Sequence, residues 1–187
     1  MTGAEAGRYA KPPTGRGIMN DENTLWTYQL NPFHLPGMQG RIALGTCGLV
    51  VPVTINCYYR EAPETYAPEF CKRHSFIVCR LACMLVDAIR GRGVTEMMRR
   101  HLSQECIERI EFMWELMRSY ECTSQSGIVD DHIKRFPTVP RWMEVSLVSN
   151  DRIEYNVNVD VGKSVFHSTL VFRKRASKWV AVHADVG

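Results

Sequence analysis

The segment RIEYNVNVDV, residues 152–161, alternates apolar and polar side chains without interruption. Its polar set is Asn156, Asn158 and Asp160, and its apolar set is Ile153, Tyr155, Val157, Val159 and Val161. Successive side chains of a strand point to opposite faces, so this pattern predicts a sheet with one covered face and one face in water. Three further segments show the same period between short polar turns: 141–150, 164–175 and 178–186. Together they predict a four-stranded antiparallel meander.

Apolar residues recur every three or four positions in the segment that precedes the meander. This period predicts a helix that begins at Pro68 and ends at the RGRG sequence of residues 90–93, where glycine can cap it. A short helix around 95–101 and a longer one from Ser103 to about residue 120 follow. The predicted buried stripe of the longer helix is Ile107, Ile110, Met113, Trp114 and Met117. The fold class is therefore α+β, with two main helices plus a short helix packed on the four-stranded meander.

The first third of the chain has a different composition. Residues 1–67 are rich in glycine, proline and asparagine, so we predict a largely disordered N-terminal arm followed by a single α+β domain at 68–187. Within the arm, a β-branched alternation predicts one strand at 49–58. Two aromatic islands, LWTYQL with Trp26 and PFHL with Phe33, either dock on a partner protein or pack back on the domain.

Cysteine usage and hydropathy bear on the compartment. The seven cysteines are an odd number at irregular spacing, and the first twenty residues lack the apolar stretch of a secretory signal. We therefore expect free thiols and a cytoplasmic protein. No uninterrupted apolar run reaches the roughly 18 residues that a membrane span needs, so we expect no membrane span.

The common catalytic and nucleotide-binding motifs are missing from the sequence, which favours a protein that is not an enzyme. The nearest approach to a metal site is Cys71, His74, Cys79 and Cys83, but one straight helix cannot direct all four at a single tetrahedral zinc. We therefore predict core cysteines, with no catalytic, cofactor-binding or metal-binding residues. An enzyme would instead need a convergence of His167, His183, Asp160 and Asp185 in a cavity.

Cationic side chains form two clusters in a chain whose formal net charge is only +3. The first cluster is Arg90, Arg92, Arg99 and Arg100. We predict that it contacts a partner protein, together with Trp26 and Phe33; the alternative is a solvated helix end. The second cluster is Arg173, Lys174, Arg175 and Lys178. Its apolar flanks favour the tip of a β-hairpin, and a nucleic-acid-binding patch is the alternative.

Two segments carry a resemblance to a known family. LVDAIRGRGVTEMMRRHLS, at 85–103, and VFHSTLVFRKRASKWVAVHADVG, at 165–187, resemble an actinobacterial family of small uncharacterised proteins. The family is a domain of unknown function, often encoded near the protein-export motor ATPase. The resemblance covers about residues 70–187 and implies a compact α+β binding module, similar in build to the cone-shaped, nuclear-transport-factor-like rolls. It implies no catalytic residues, and it suggests a link to protein export.

Three functions follow as hypotheses. The first is a non-enzymatic module that binds another protein, and it is the one we favour. The second is an RNA- or ribosome-associated protein that uses the two basic clusters, whose binding would weaken steeply with added salt. The third is a small-molecule enzyme or carrier with a cone-shaped pocket that holds titratable groups.

Overall fold

The computed structural model describes residues 26–31, 33–45, 48–58, 67–123 and 135–187, without the side chains of 120–123. The strands are β1 Thr27–Leu30, β2 Pro36–Leu44, β3 Leu49–Cys57, β4 Thr138–Ser149, β5 Arg152–Val161, β6 Ser164–Arg175 and β7 Lys178–Val186. The α-helices are α1 Pro68–Asp87, α2 Glu96–His101 and α3 Gln104–Thr123. A π-helical turn, Ala88–Arg92, follows α1 directly.

The seven strands form one sheet in the order β1-β2-β3-β4-β5-β6-β7. Neighbouring strands are antiparallel except β3 and β4, which run parallel with Val53 opposite Met143. A parallel pair needs a crossover connection, and α1, α2 and α3 lie within it. The sheet is therefore mixed, with β1 and β7 at its two edges.

The predicted four-stranded meander with two main helices, and with it the cone-shaped roll, is wrong, although the α+β class holds. The strands predicted at 141–150, 152–161, 164–175 and 178–186 correspond to β4–β7, but they are only part of the sheet. Residues 27–57, assigned from composition to an arm with one strand at 49–58, contribute β1, β2 and β3. The remainder of the predicted arm that precedes Trp26 lies outside the described residues.

Helix α1 covers one face of the sheet. Pro68 occupies the first turn, where its missing N–H costs nothing, and Gly91 and Gly93 take positive φ angles of 99° and 74° at the turn after α1. The buried side of α1 includes Val78, Leu81 and Leu85, which pack in one core with inward side chains of β2 to β7. The other face of the sheet carries many polar side chains, some of which bond across strands, for example Asn56 Nδ2 to Glu144 Oε1 at 3.0 Å.

Among the helices of the described residues, none combines the length and the apolar character that crossing a bilayer requires.

Candidate docking surface on the third helix

The first half of α3 is tied to the edge strand β7. Cys106, Ile107 and Ile110 are buried, and the Cys106 thiol lies 3.6 Å from the carbonyl oxygen of Ala181 in β7. The backbone N–H of Ser103, just before the helix, donates to the same carbonyl at 2.8 Å. These contacts hold the helix against the edge strand at its N-terminal end.

The second half of α3 exposes large apolar side chains. The exposed fractions are 58% for Phe112, 50% for Leu116 and 38% each for Met113 and Met117. At 100° per residue these four positions fall within about 140° of the helix circumference, so they form one continuous surface. We call this set of four residues the α3 face. A contiguous exposed apolar surface of this kind usually marks a contact site for another molecule.

The opposite side of the same half-helix is anchored. Trp114 is half-buried, and its indole Nε1 lies beside Gly91 of the π-helical turn. The guanidinium of Arg118 lies 5.5 Å from the centre of the Trp114 ring. This packing orients the helix, so the α3 face points away from the core.

Three glutamates lie along one border of the α3 face. Glu108, Glu111 and Glu115 are spaced three and four residues apart, which places them on one side of a helix. Glu111 pairs with Arg99 at 2.8 Å, and Glu108 accepts a hydrogen bond from the amide of Gln104 at 3.1 Å. We call these three glutamates the acidic flank.

The sequence analysis did not predict the exposure of any of the four residues of the α3 face. Met113 and Met117, predicted to be buried, are partly exposed, and Phe112 and Leu116 were not assigned a role. A signal was available: five of the seven residues from Phe112 to Arg118 are apolar. A surface helix with one buried stripe needs only three or four apolar positions in two turns.

The first predicted cationic cluster is not an open cationic surface. Arg90 is buried, donating to Asp87 Oδ1 at 2.9 Å and to the carbonyl of Phe136 at 2.7 Å. The other three arginines are exposed and each has an acidic partner: Arg92–Asp87 at 3.1 Å, Arg99–Glu111 at 2.8 Å and Arg100–Glu96 at 3.4 Å. Much of the positive charge that the sequence displays is therefore neutralised locally.

The predicted aromatic contacts, Trp26 and Phe33, have different surroundings. Trp26 packs against the core over Gly40 of β2. Phe33 is exposed in a turn held by buried Asn31, whose Oδ1 accepts from the N–H groups of Phe33 and Leu35 at 2.9 and 3.0 Å. The Phe33 ring centre lies 6.5 Å from that of Tyr58. Phe33 is thus presented to solvent, whereas Trp26 supports the sheet.

We expect the substitution Gly40→Ala to lower the free energy of unfolding by about 1–2 kcal/mol. A Cβ at this position would lie 2.3 Å from an atom of the Trp26 ring, so the indole must move off the sheet. Urea denaturation measures the loss. In a Trp26→Ala background the same substitution should be neutral; an equal loss there would show that the ring is not the obstacle.

The second predicted cluster lies at the tip of a β-hairpin. Ala176 and Ser177 form the turn between β6 and β7, with a φ of 53° at Ala176. Lys174, Arg175 and Lys178 are exposed around the turn, and Arg173 pairs with Asp151 at 2.9 Å. Trp179, the nearest aromatic in the sequence, is half-buried and packs toward Phe70 and His74, so the residues of the β6–β7 turn that the structure describes offer no exposed stacking ring.

Cys71 and Cys79 of α1 are buried, Cys83 is partly buried, and the same helix places His74 in an aromatic cluster. His74 Nδ1 shares a hydrogen bond of 2.5 Å with the hydroxyl of Tyr155, and Phe172 stands edge-on to both rings. Burial raises the pKa of Cys71 to about 12 and that of Cys83 to about 11, so both thiols stay protonated at neutral pH. Protonated thiols are poor nucleophiles and poor metal ligands. No group of three or more potential metal ligands occurs within the described part of the chain.

The four titratable groups considered for an enzyme have separate partners. His167 contacts Asn158 at 2.8 Å, Asp160 pairs with Arg141 at 2.6 Å, and His183 lies 3.3 Å from Arg109. Asp185 accepts a hydrogen bond from the next backbone N–H in β7. An open groove of about 660 Å³ lies between β2 and the start of α1, and none of the four lines it.

Comparison of the chain with protein-family models, with curated proteins and with solved structures found no match. What the α3 face can do must therefore follow from its own geometry and chemistry.

Proposed function

We propose that the protein is a non-enzymatic binding module that engages another protein through the α3 face. The observation that supports this is the exposure of Phe112, Met113, Leu116 and Met117 on a half-helix whose other side is anchored. Keeping four large apolar side chains in water forgoes the free energy of burying them, about 1.5–3 kcal/mol for each full burial. A partner protein that covers the face recovers part of that free energy.

Methionine suits such a surface. Its unbranched, polarizable side chain adapts to differently shaped apolar partners, and the α3 face contains two methionines. The exposed Phe33 is a second candidate contact, as the sequence predicts. A cytoplasmic location, which the cysteine usage favours, and a link to protein export, which the family resemblance suggests, belong to the same proposal. Paired arginines and the lack of an exposed aromatic at the hairpin tip make RNA binding the weaker alternative.

The proposal predicts position-dependent crosslinking in cells. A benzophenone side chain introduced at Leu116 should form one dominant protein adduct, because a partner there lies within bonding distance. A matched probe at Thr169, on the uncovered polar face of the sheet, should yield little adduct. Nuclease treatment before electrophoresis separates adducts to protein from adducts to nucleic acid.

Two results would contradict the proposal. Equal and diffuse adducts from both positions would mean that the α3 face has no dedicated partner. A single nuclease-sensitive adduct would favour the RNA-binding alternative instead.

A further inference from the structure

The α3 face is apolar in the middle and negatively charged along one border. Phe112 and Leu116 lie next to the acidic flank, of which Glu115 and Glu108 are exposed. The flank carries only one ion pair to a cation within the described residues, between Glu111 and Arg99, and that pair is itself exposed. A molecule that covers the apolar side chains must therefore also accommodate the remaining acidic groups.

From this charge pattern, and resting on the proposed function, we infer that the partner segment is a basic amphipathic helix. A helix packs beside another with interaxial distances of roughly 8–10 Å, interleaving apolar side chains at steps of three and four residues. Phe112, Leu116, Met113 and Met117 have that spacing. Lysines or arginines beside the partner's apolar stripe would face Glu108 and Glu115, which sets orientation and accelerates encounter.

The same pattern disfavours other occupants. Two copies of this chain that paired their α3 faces about a twofold axis, with antiparallel helices, would bring the two acidic flanks together, at a cost in like-charge repulsion. Nucleic acids and anionic membranes are repelled by the same carboxylates. A basic helix is the occupant that satisfies both the apolar face and the flank.

A model peptide tests the inference with the full chain. The probe is a fluorescein-labelled helix of about 18 residues made of leucine and lysine, and the comparison peptide replaces every lysine with glutamate. Fluorescence anisotropy should show at least about tenfold tighter binding of the lysine peptide. Leu116→Ser and, separately, Glu115→Lys should each weaken that binding by about tenfold.

The matched control is Glu69→Lys. It makes the same charge change at an exposed position in the first turn of α1, about 27 Å along that helix from Asp87 and the π-helical turn on which Trp114 packs. Its effect should stay within about twofold, since it lies at the far end of α1 from the α3 face. Circular dichroism of each variant verifies folding, which these exposed positions should not disturb.

Equal binding of the two peptides would show that the charge of the partner plays no part, and it would overturn the inference. Equal losses for Glu69→Lys and Glu115→Lys would reduce the preference to general charge attraction and would overturn it as well. No binding of either peptide, while the crosslink from position 116 persists, would overturn the basic-helix partner and leave the proposed function standing. Loss of both signals would remove the proposed function as well.

Discussion

Replacing Arg90 with methionine is expected to lower the free energy of unfolding by about 3 kcal/mol. Arg90 has only 3% of its side chain exposed and bonds both Asp87 and the carbonyl of Phe136, just before β4. Methionine keeps the aliphatic stem but removes the buried charged donor to Asp87 and to the carbonyl of Phe136, and hydrogen bonds to a charged group are costly to lose. The bond also ties the end of α1 to the first strand of the C-terminal meander, so its loss should loosen both.

Arg92 provides the control for that experiment, because it pairs with the same aspartate from a side chain that is 52% exposed. Arg92→Met should cost less than about 1 kcal/mol, since surface ion pairs contribute little. Guanidinium denaturation of the two variants at one pH compares them directly. Equal losses for the two substitutions would show that burial of Arg90 is not what makes its contacts important.

The second large effect is a loss of stability in mild acid that traces to His74. Burial, followed by the nearby charges of His101 and Arg73, lowers the pKa of His74 from 6.5 to about 4. Between those two values the unfolded chain binds more protons at this position than the folded chain does. The contribution of His74 to the free energy of unfolding is therefore fully present above pH 6.5 and is lost as the pH falls toward 4. In that range the free energy of unfolding falls by up to about 1.36 kcal/mol per pH unit, for a total of about 3 kcal/mol.

Two variants separate this contribution from that of the carboxylates. His74→Gln removes the titrating ring, so the difference in unfolding free energy between wild type and variant should shrink as the pH falls from 6.5 to 4. Tyr155→Phe removes the hydroxyl bonded to His74 but leaves the imidazole buried, so it should keep most of the pH dependence. If His74→Gln does not fold, the imidazole proton signals of wild-type protein report the same pKa. A His74 titration midpoint near 6.5 would refute the prediction.

Local pattern predicted part of the fold well. The alternation in 152–161 and its three neighbouring segments matches β4–β7, and the helical period with its glycine stop matches α1 and the turn after it. These features depend on spacing within one segment, and the period of side-chain directions acts over a few residues. The hairpin at Ala176 and Ser177 was recognisable for the same reason, because its cations lie between two apolar strands.

The candidate site was less accessible from sequence. Arg90 and Arg92 look alike in the sequence, yet one is buried against Asp87 and Phe136 and the other is exposed. Trp26 and Phe33 look like equivalent aromatic islands, yet only Phe33 is exposed, because Gly40 leaves room for the Trp26 ring to pack on β2. In each case the difference depends on a residue that is distant in the sequence.

For this protein the order of residues alone indicated α1–α3 and β3–β7, because periodicity, proline and glycine act through neighbours in the chain. It did not indicate β1 and β2, whose composition is that of a disordered arm. Tertiary structure alone decided that β3 pairs in parallel with β4, placing Val53 opposite Met143 across the helical crossover. It also decided which side of α3 is covered, leaving Phe112 and Leu116 in water. Strand pairing and the burial of a helix side are properties of the assembled fold, since both depend on contacts between segments that are distant in the sequence.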